Sequence, residues 1–179
     1  MEVILIRHTT PDIAKGICYG QSDLDITEDF DSEAAVITSQ SIIKNFDAVY
    51  TSPLKRCKKL AEKIDPNYTL DDRLMELDFG EWELKSWNAI PKEEITPWMD
   101  DFVSMPTKNG ESYINLHDRV VQFFNEIIQK KYTKVLIVTH AGVMRALWSY
   151  WNTIPLDKSF DLKLDYGAIL KIDTLSKNN

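Results

Sequence analysis

The sequence predicts an α/β fold: three layers, α/β/α, with a mostly parallel sheet and helices on both of its faces. Three features predict it. The run Val3-Ile4-Leu5-Ile6 is apolar and unbroken, and so is Val135-Leu136-Ile137-Val138 inside the stretch 134–139. Unbroken runs mark strands covered on both faces, whereas a strand with one wet face alternates. Between the two runs, stretches with helical spacing alternate with short strand-like ones, the order that parallel strands with crossover helices require.

Each element has its own grounds. The first strand ends at Arg7-His8, and Pro11 stops any regular continuation. Residues 11–25, with Pro11, Gly16 and Gly20 among small polar residues, read as an ordered loop. Ala34, Ala35, Ile37, Ile42, Ile43 and Phe46 give 29–46 the pattern of an amphipathic helix. A short strand follows at 47–51. Ser52 and Pro53 then suit the N-cap and first position of a helix whose apolar face is Leu54, Cys57, Leu60, Ala61 and Ile64. Arg56 falls in its first turn, off that face. A third short strand is expected at 68–70.

The stretch 72–83 has no clear period. Residues 84–105, with Trp87, Trp98, Phe102, Pro91 and Pro97, read as short helices in a surface excursion. Ser112 is placed to cap a helix whose buried stripe is Leu116, Val120, Phe124 and Ile127. The strand 134–139 runs into His140 and a helix from about 143 to 151. Two strands, 160–164 and 169–172, are expected around a turn at 165–167, and the tail 176–179 is expected to fray.

The chain has 179 residues, 44% of them hydrophobic, which suits one domain, 1–179, with one core. A net charge of −7 argues against nucleic acid and against an anionic membrane surface as partners, but leaves room for a small anionic ligand met by a few local cations. The amino terminus does not read as a signal peptide, and no apolar run approaches a membrane span. Cys18 and Cys57 are too few and too isolated for a disulfide framework or a zinc site. A cytoplasmic protein is the expectation. The oligomeric state stays open, a homodimer included.

In an open parallel sheet, ligands bind beyond the carboxyl ends of the strands. Three such ends carry polar chemistry: Arg7-His8, the turn from Ser52 to Arg56, and Thr139-His140. Two arginines and two histidines converging near helix N-termini make a pocket for a dianion, since Arg grips phosphate oxygens through a planar fork. The same cations would repel a metal ion, so neither a metal nor a cofactor is expected. Other readings stand beside these. Arg56 also reads as a solvated first-turn cation, His140 as a hydrogen-bonded core imidazole, and Glu76, on spacing alone, as a surface carboxylate. His117 reads as structural and Trp82 as core.

Five pieces then fall in a recognisable order: Leu5-Ile-Arg7-His8; Thr51-Ser-Pro-Leu-Lys-Arg56 with Ala61-Glu62; Leu74-Met-Glu76-Leu-Asp-Phe79-Gly80-Glu-Trp82-Glu83; Asn109-Gly-Glu111-Ser112; and Val138-Thr-His140-Ala-Gly142-Val. With these the chain resembles the histidine phosphatase superfamily, the phosphoglycerate mutase-like group. The loop Gly16-Ile-Cys18-Tyr19-Gly20-Gln21-Ser22-Asp23 is similar to that of its alpha-ribazole phosphatase branch, which removes the 5′-phosphate of alpha-ribazole in cobalamin assembly. Three positions depart from the superfamily pattern: Thr9 replaces the usual Gly, the loop offers Cys18, Tyr19, Gln21 and Ser22 where many members have a phosphate-binding Asn, and Leu84 replaces a Gly.

The resemblance implies roles. His8 is the nucleophile that takes the phosphoryl group; Arg7, Arg56 and a protonated His140 form the phosphate clamp; Glu76 gives a proton to the leaving alcohol and later serves as base. Tyr19, Gln21, Ser22, Glu111, Ser112 and Ala141 contact or support the substrate. Residues 84–110 become a lid-like excursion in which Trp87, Trp98 or Phe102 stacks on a substrate ring. The implied activity is that of a phosphomonoesterase with a small phosphorylated substrate, alpha-ribazole 5′-phosphate first. A broad-specificity phosphatase, a phosphoglycerate mutase-type enzyme and a non-catalytic phosphate-binding domain are the alternatives. The segment between Glu76 and Gly110 is short for a mutase.

Overall fold

The computed structural model describes residues 1–175. The tail expected to fray, 176–179, lies outside the described residues. In chain order the elements are β1 (Glu2–Arg7), α1 (Phe30–Thr38), β2 (Ala48–Thr51), α2 (Lys55–Ile64), β3 (Tyr68–Leu70), α3 (Lys92–Asp100), α4 (Tyr113–Ile128), β4 (Lys134–Thr139), α5 (Ala141–Asn152) and β5 (Ile169–Asp173). Short 3-10 turns lie at Asp72–Leu74, Gly80–Trp82, Trp87–Ala89 and Leu156–Asp161. The sheet order is β3-β2-β4-β1-β5. The first four of these strands run parallel, and β5 pairs antiparallel with β1.

The two unbroken apolar runs are the two central strands, as double coverage requires. Alternate residues feed opposite layers. Ile4 and Ile6 of β1, with Leu136 and Val138 of β4, pack against Phe30, Ala34 and Ile37 of α1 and Cys57, Leu60 and Ala61 of α2. Val3, Leu5, Val135 and Ile137 face the other way, onto Leu116, Val120, Phe124 and Ile127 of α4 and Val143, Met144 and Leu147 of α5. Each such side chain contributes about 1.5–3 kcal/mol relative to exposure. A third cluster, Cys18, Trp82 and Ile90, lies under the 84–105 excursion and is flanked by Phe79, Trp87 and Trp98.

Three elements differ from expectation. The helix expected over 29–46 stops at Thr38, because the chain turns through Gln40 N–H to Ile37 O and Ile43 N–H to Gln40 O and then reaches Asn45 at φ 59°. Ile43 stays buried as a loop anchor, so the apolar spacing outlives the helix. Helix α2 starts at Lys55, two residues after Pro53. Its first-turn donor, Lys55 N–H, is capped by Asp23 from the distant loop at 2.7 Å rather than by Ser52. The strand expected at 160–164 is a 3-10 turn, Leu156–Asp161, followed by irregular chain. There the carbonyls of Leu162 and Leu164 accept from Arg145 Nε and Arg7 Nη1 instead of joining a ladder.

Candidate active site

Sheet register builds the site. Arg7 sits opposite Thr139 and Thr51 opposite Val138, so the residues just past three strand ends are neighbours. The His8 N–H continues the β1–β4 ladder to Thr139 O at 2.9 Å, and the Ser52 N–H donates to Val138 O at 3.1 Å. Helix α5 begins directly after His140, and Arg56 lies in the first turn of α2.

His8 is almost wholly buried. Its Nδ1–H donates to the Thr9 carbonyl at 2.6 Å, which leaves the lone pair on Nε2. Burial, then Arg56, and to a smaller extent Arg7 hold its pKa well below the usual histidine value, although the Thr9 carbonyl opposes them. The ring is therefore neutral at pH 7, with the Nε2 lone pair free.

The two arginines define the anion site. Arg56 is fully buried and donates Nη1–H to Ser22 O at 2.8 Å and Nη2–H to Gly20 O at 2.5 Å. Arg7 donates to Leu164 O at 2.6 Å, and its guanidinium carbon lies 4.0 Å from the Tyr166 ring centroid. Nε of both is buried without a partner. Among the described residues neither forms an ion pair with a carboxylate. A fully buried Arg56 and a half-buried Arg7, neither in a direct ion pair, are costly, and a bound dianion removes that cost. The solvated-cation reading of Arg56 is thus overturned.

Both arginines and His8 line a cavity of about 230 Å³. Glu76 lines it too, with Oε1 accepting from Leu77 N–H at 2.9 Å and Oε2 from Gly142 N–H at 3.1 Å. Gly142 admits the carboxylate because it has no side chain: a Cβ there would lie 2.2 Å from Glu76 Oε1. Tyr19 and Ala141 complete the set of expected residues on the wall, and Ile17, Leu77, Phe79, Trp87 and Phe160 make most of it apolar. Of the three aromatics in the excursion, Trp87 alone reaches the wall. Trp98 stacks behind it at 6.2 Å, and Phe102 sits edge-on to Phe160 at 5.2 Å.

His140 is placed differently from a clamp residue. It is fully buried behind His8, ring centroids 5.1 Å apart, with Nε2 2.8 Å from Ser52 Oγ. Burial first, then Arg56 and His8, push its pKa well below the usual value, so the expected protonated form is corrected to a neutral one in the ligand-free protein. Cys57 Sγ lies 3.4 Å from the same nitrogen, and burial pushes that thiol up to about 12.

Four further residues do not line the cavity. The Gln21 amide donates to Glu76 O at 3.1 Å, and the Ser22 hydroxyl is spent on Glu83 at 2.5 Å. Glu111 pairs with Arg119 at 2.5 Å and accepts from Asp78 N–H. Ser112 caps α4 in a box with Asn115. They hold the frame of the site rather than its wall, because each has its polar groups engaged elsewhere.

Residues missed in the sequence are Arg145, Tyr113 and Phe160 on the wall and Tyr166 behind Arg7. Arg145 was within reach: it follows Ala141 by four residues, one turn along the same helix face. The others depend on long-range placement. Among the described residues no group of three or more His, Cys, Asp or Glu is arranged to hold a metal ion. No helix among them is long and apolar enough to cross a membrane.

Comparison with known proteins agrees with this geometry. Phosphoserine phosphatase 1 of Hydrogenobacter thermophilus is 24% identical over all of this chain and 89% of its own length. The adenosylcobalamin/alpha-ribazole phosphatase of Salmonella typhimurium is 26% identical over 97% of this chain and 90% of its own. The crystal structure of the alpha-ribazole phosphatase from Shigella flexneri superposes with a TM-score of 0.88 at 25% identity, covering 97% of this chain and 90% of that one. The model of the histidine phosphatase superfamily (branch 1) matches residues 3–178. That match spans nearly the whole chain, and the chain belongs to that superfamily.

Proposed function

We propose that the chain is a phosphomonoesterase that works through a phosphohistidine on His8, with alpha-ribazole 5′-phosphate as the leading substrate. One observation carries the reading: a neutral histidine, its Nδ1–H fixed by Thr9 O, shares a cavity with the buried Arg56 and the half-buried Arg7, neither of them in a direct ion pair. In the first step Nε2 attacks phosphorus and the ester P–O bond breaks, while Glu76 in its acid form gives its proton to the leaving oxygen. Arg7 and Arg56 meet the charge on the equatorial oxygens. In the second step water attacks phosphorus, the P–N bond breaks, and Glu76 takes the water proton. His140 steadies the imidazole and the Ser52 turn from behind.

The apolar wall of Ile17, Leu77, Phe79, Trp87 and Phe160 favours a leaving group with a flat apolar ring, as alpha-ribazole has. A second reading rests on Arg145. This third cation on the wall lies 4.8 Å from the Phe160 centroid and suits a leaving group bearing a carboxylate, as phosphoserine does. Phosphate release from alpha-ribazole 5′-phosphate, phosphoserine, 3-phosphoglycerate and p-nitrophenyl phosphate separates the two. We expect selectivity for alpha-ribazole 5′-phosphate and a loss of at least ~10⁴-fold in His8→Ala. Preference for phosphoserine, lost in Arg145→Ala, selects the second reading; no turnover of any ester by folded protein sinks both.

A further inference from the structure

Glu83 does not line the cavity, yet five hydrogen bonds converge on its carboxylate. The backbone N–H groups of Gly20, Gln21 and Ser22 donate at 3.0, 2.9 and 3.1 Å, the Ser22 hydroxyl at 2.5 Å and the Phe79 N–H at 3.2 Å. Burial alone would raise its pKa; the Ser22 hydroxyl and the backbone donors outweigh burial and hold it below the usual carboxylate range. Two of these residues turn their carbonyls the other way. Gly20 O and Ser22 O accept from the two Nη atoms of Arg56. The peptide segment thus has its donors on an anion and its acceptors on a cation. It is also pressed flat: a Cβ at Gly20 would lie 1.7 Å from the Leu77 carbonyl oxygen, so only glycine fits beside the residue that follows Glu76.

We propose that Glu83 is a positioning residue for the bound phosphate, acting through segment 20–22 to aim Arg56 and balance its charge. A direct Glu–Arg pair would occupy the guanidinium fork. The intervening peptide instead uses one hydrogen on each Nη and leaves Nε–H and the remaining hydrogens for the dianion. The inference rests on the phosphatase reading for the identity of that anion.

The test is calorimetric binding of inorganic phosphate to the wild type, Glu83→Gln, Arg56→Ala and the double variant, with thermal unfolding of each. Glu83→Gln turns an acceptor into a donor facing donors. Its phosphate affinity should fall about ten- to a hundredfold. In the Arg56→Ala background the same change should cost almost nothing further, because both act on one contact. Additive losses, or unchanged affinity in a folded Glu83→Gln protein, overturn the proposal. Should Glu83→Gln not fold, Ser22→Ala removes one of the five donors; its smaller loss must likewise vanish in the Arg56→Ala background, and an additive or absent loss overturns the proposal. Wild type that binds phosphate but hydrolyses no ester removes the phosphatase reading and leaves the positioning role testable by the same cycle. Wild type that binds no phosphate overturns the proposal, while the phosphatase reading stands or falls on ester turnover.

Discussion

His8 stays neutral because it is buried and because Arg56 and Arg7 would repel a second positive charge, while Thr9 O fixes which nitrogen keeps the proton. The sign of the pH effect follows. In the proposed mechanism only the neutral ring attacks, and its pKa lies well below 6.5, so protonation of His8 should not slow phosphate release between pH 7 and 6. A pH profile of kcat/KM, corrected for the ionisation of the substrate, should show no loss in that interval. An acid limb centred near 6.5 would mean an ordinary exposed imidazole. At this scale Arg7, His8 and Arg56 were legible as candidates because they lie at or just past strand ends, whereas Glu76 was singled out only by the family resemblance. Gln21, Ser22, Glu111 and Ser112 frame the cavity rather than line it, because their polar atoms face Glu76 O, Glu83, Arg119 and Asn115. Sequence adjacency gives proximity, not direction.

Among the elements, α4 separates support from chemistry. Ser112 Oγ accepts from Asn115 N–H at 3.3 Å and donates to Asn115 Oδ1 at 2.6 Å, a cap at the helix start. Ser112→Ala should therefore cost about 1 kcal/mol of stability, read from denaturant or thermal unfolding, and leave kcat/KM within a factor of two or so. A selective rise in KM at unchanged stability would return Ser112 to the substrate. Two turns further on, Arg119 donates to the carbonyls of Arg73, Met75 and Glu76 and is held by Glu111, so α4 fixes the backbone that carries Glu76. Helices α4 and α5 and strands β1 and β4 were readable because burial periodicity is a local property. The end of α1, the start of α2 and the segment 160–164 were not. The first ends in local turn bonds beneath an apolar spacing that continues past it, and the other two bond to Asp23 and to the site arginines, partners that no local window contains.

For the whole molecule, the site is a store of electrostatic stress that depends on pH. His8 and His140 are both buried, both depressed in pKa and 5.1 Å apart, with Arg56 and Arg7 acting on each. In the unfolded chain both titrate near 6.5, so below that pH the unfolded state binds more protons than the folded one and stability falls as pH falls. Each histidine contributes roughly 1 kcal/mol per pH unit in this window, which is large against a total stability of about 5–15 kcal/mol. The carboxylates with lowered pKa, such as Asp71 and Glu83, add their losses only further down, below the normal carboxylate range. Thermal unfolding should therefore show Tm falling from pH 6.5 towards 5, ahead of the carboxylate titration. The decline should be about halved in His140→Asn, which buries no titrating ring. Inorganic phosphate should raise Tm across the window by mass action. A Tm that stays level from pH 6.5 to 5 would show that the two rings are not held neutral, and with that the nucleophile assigned to His8 would lose its physical basis.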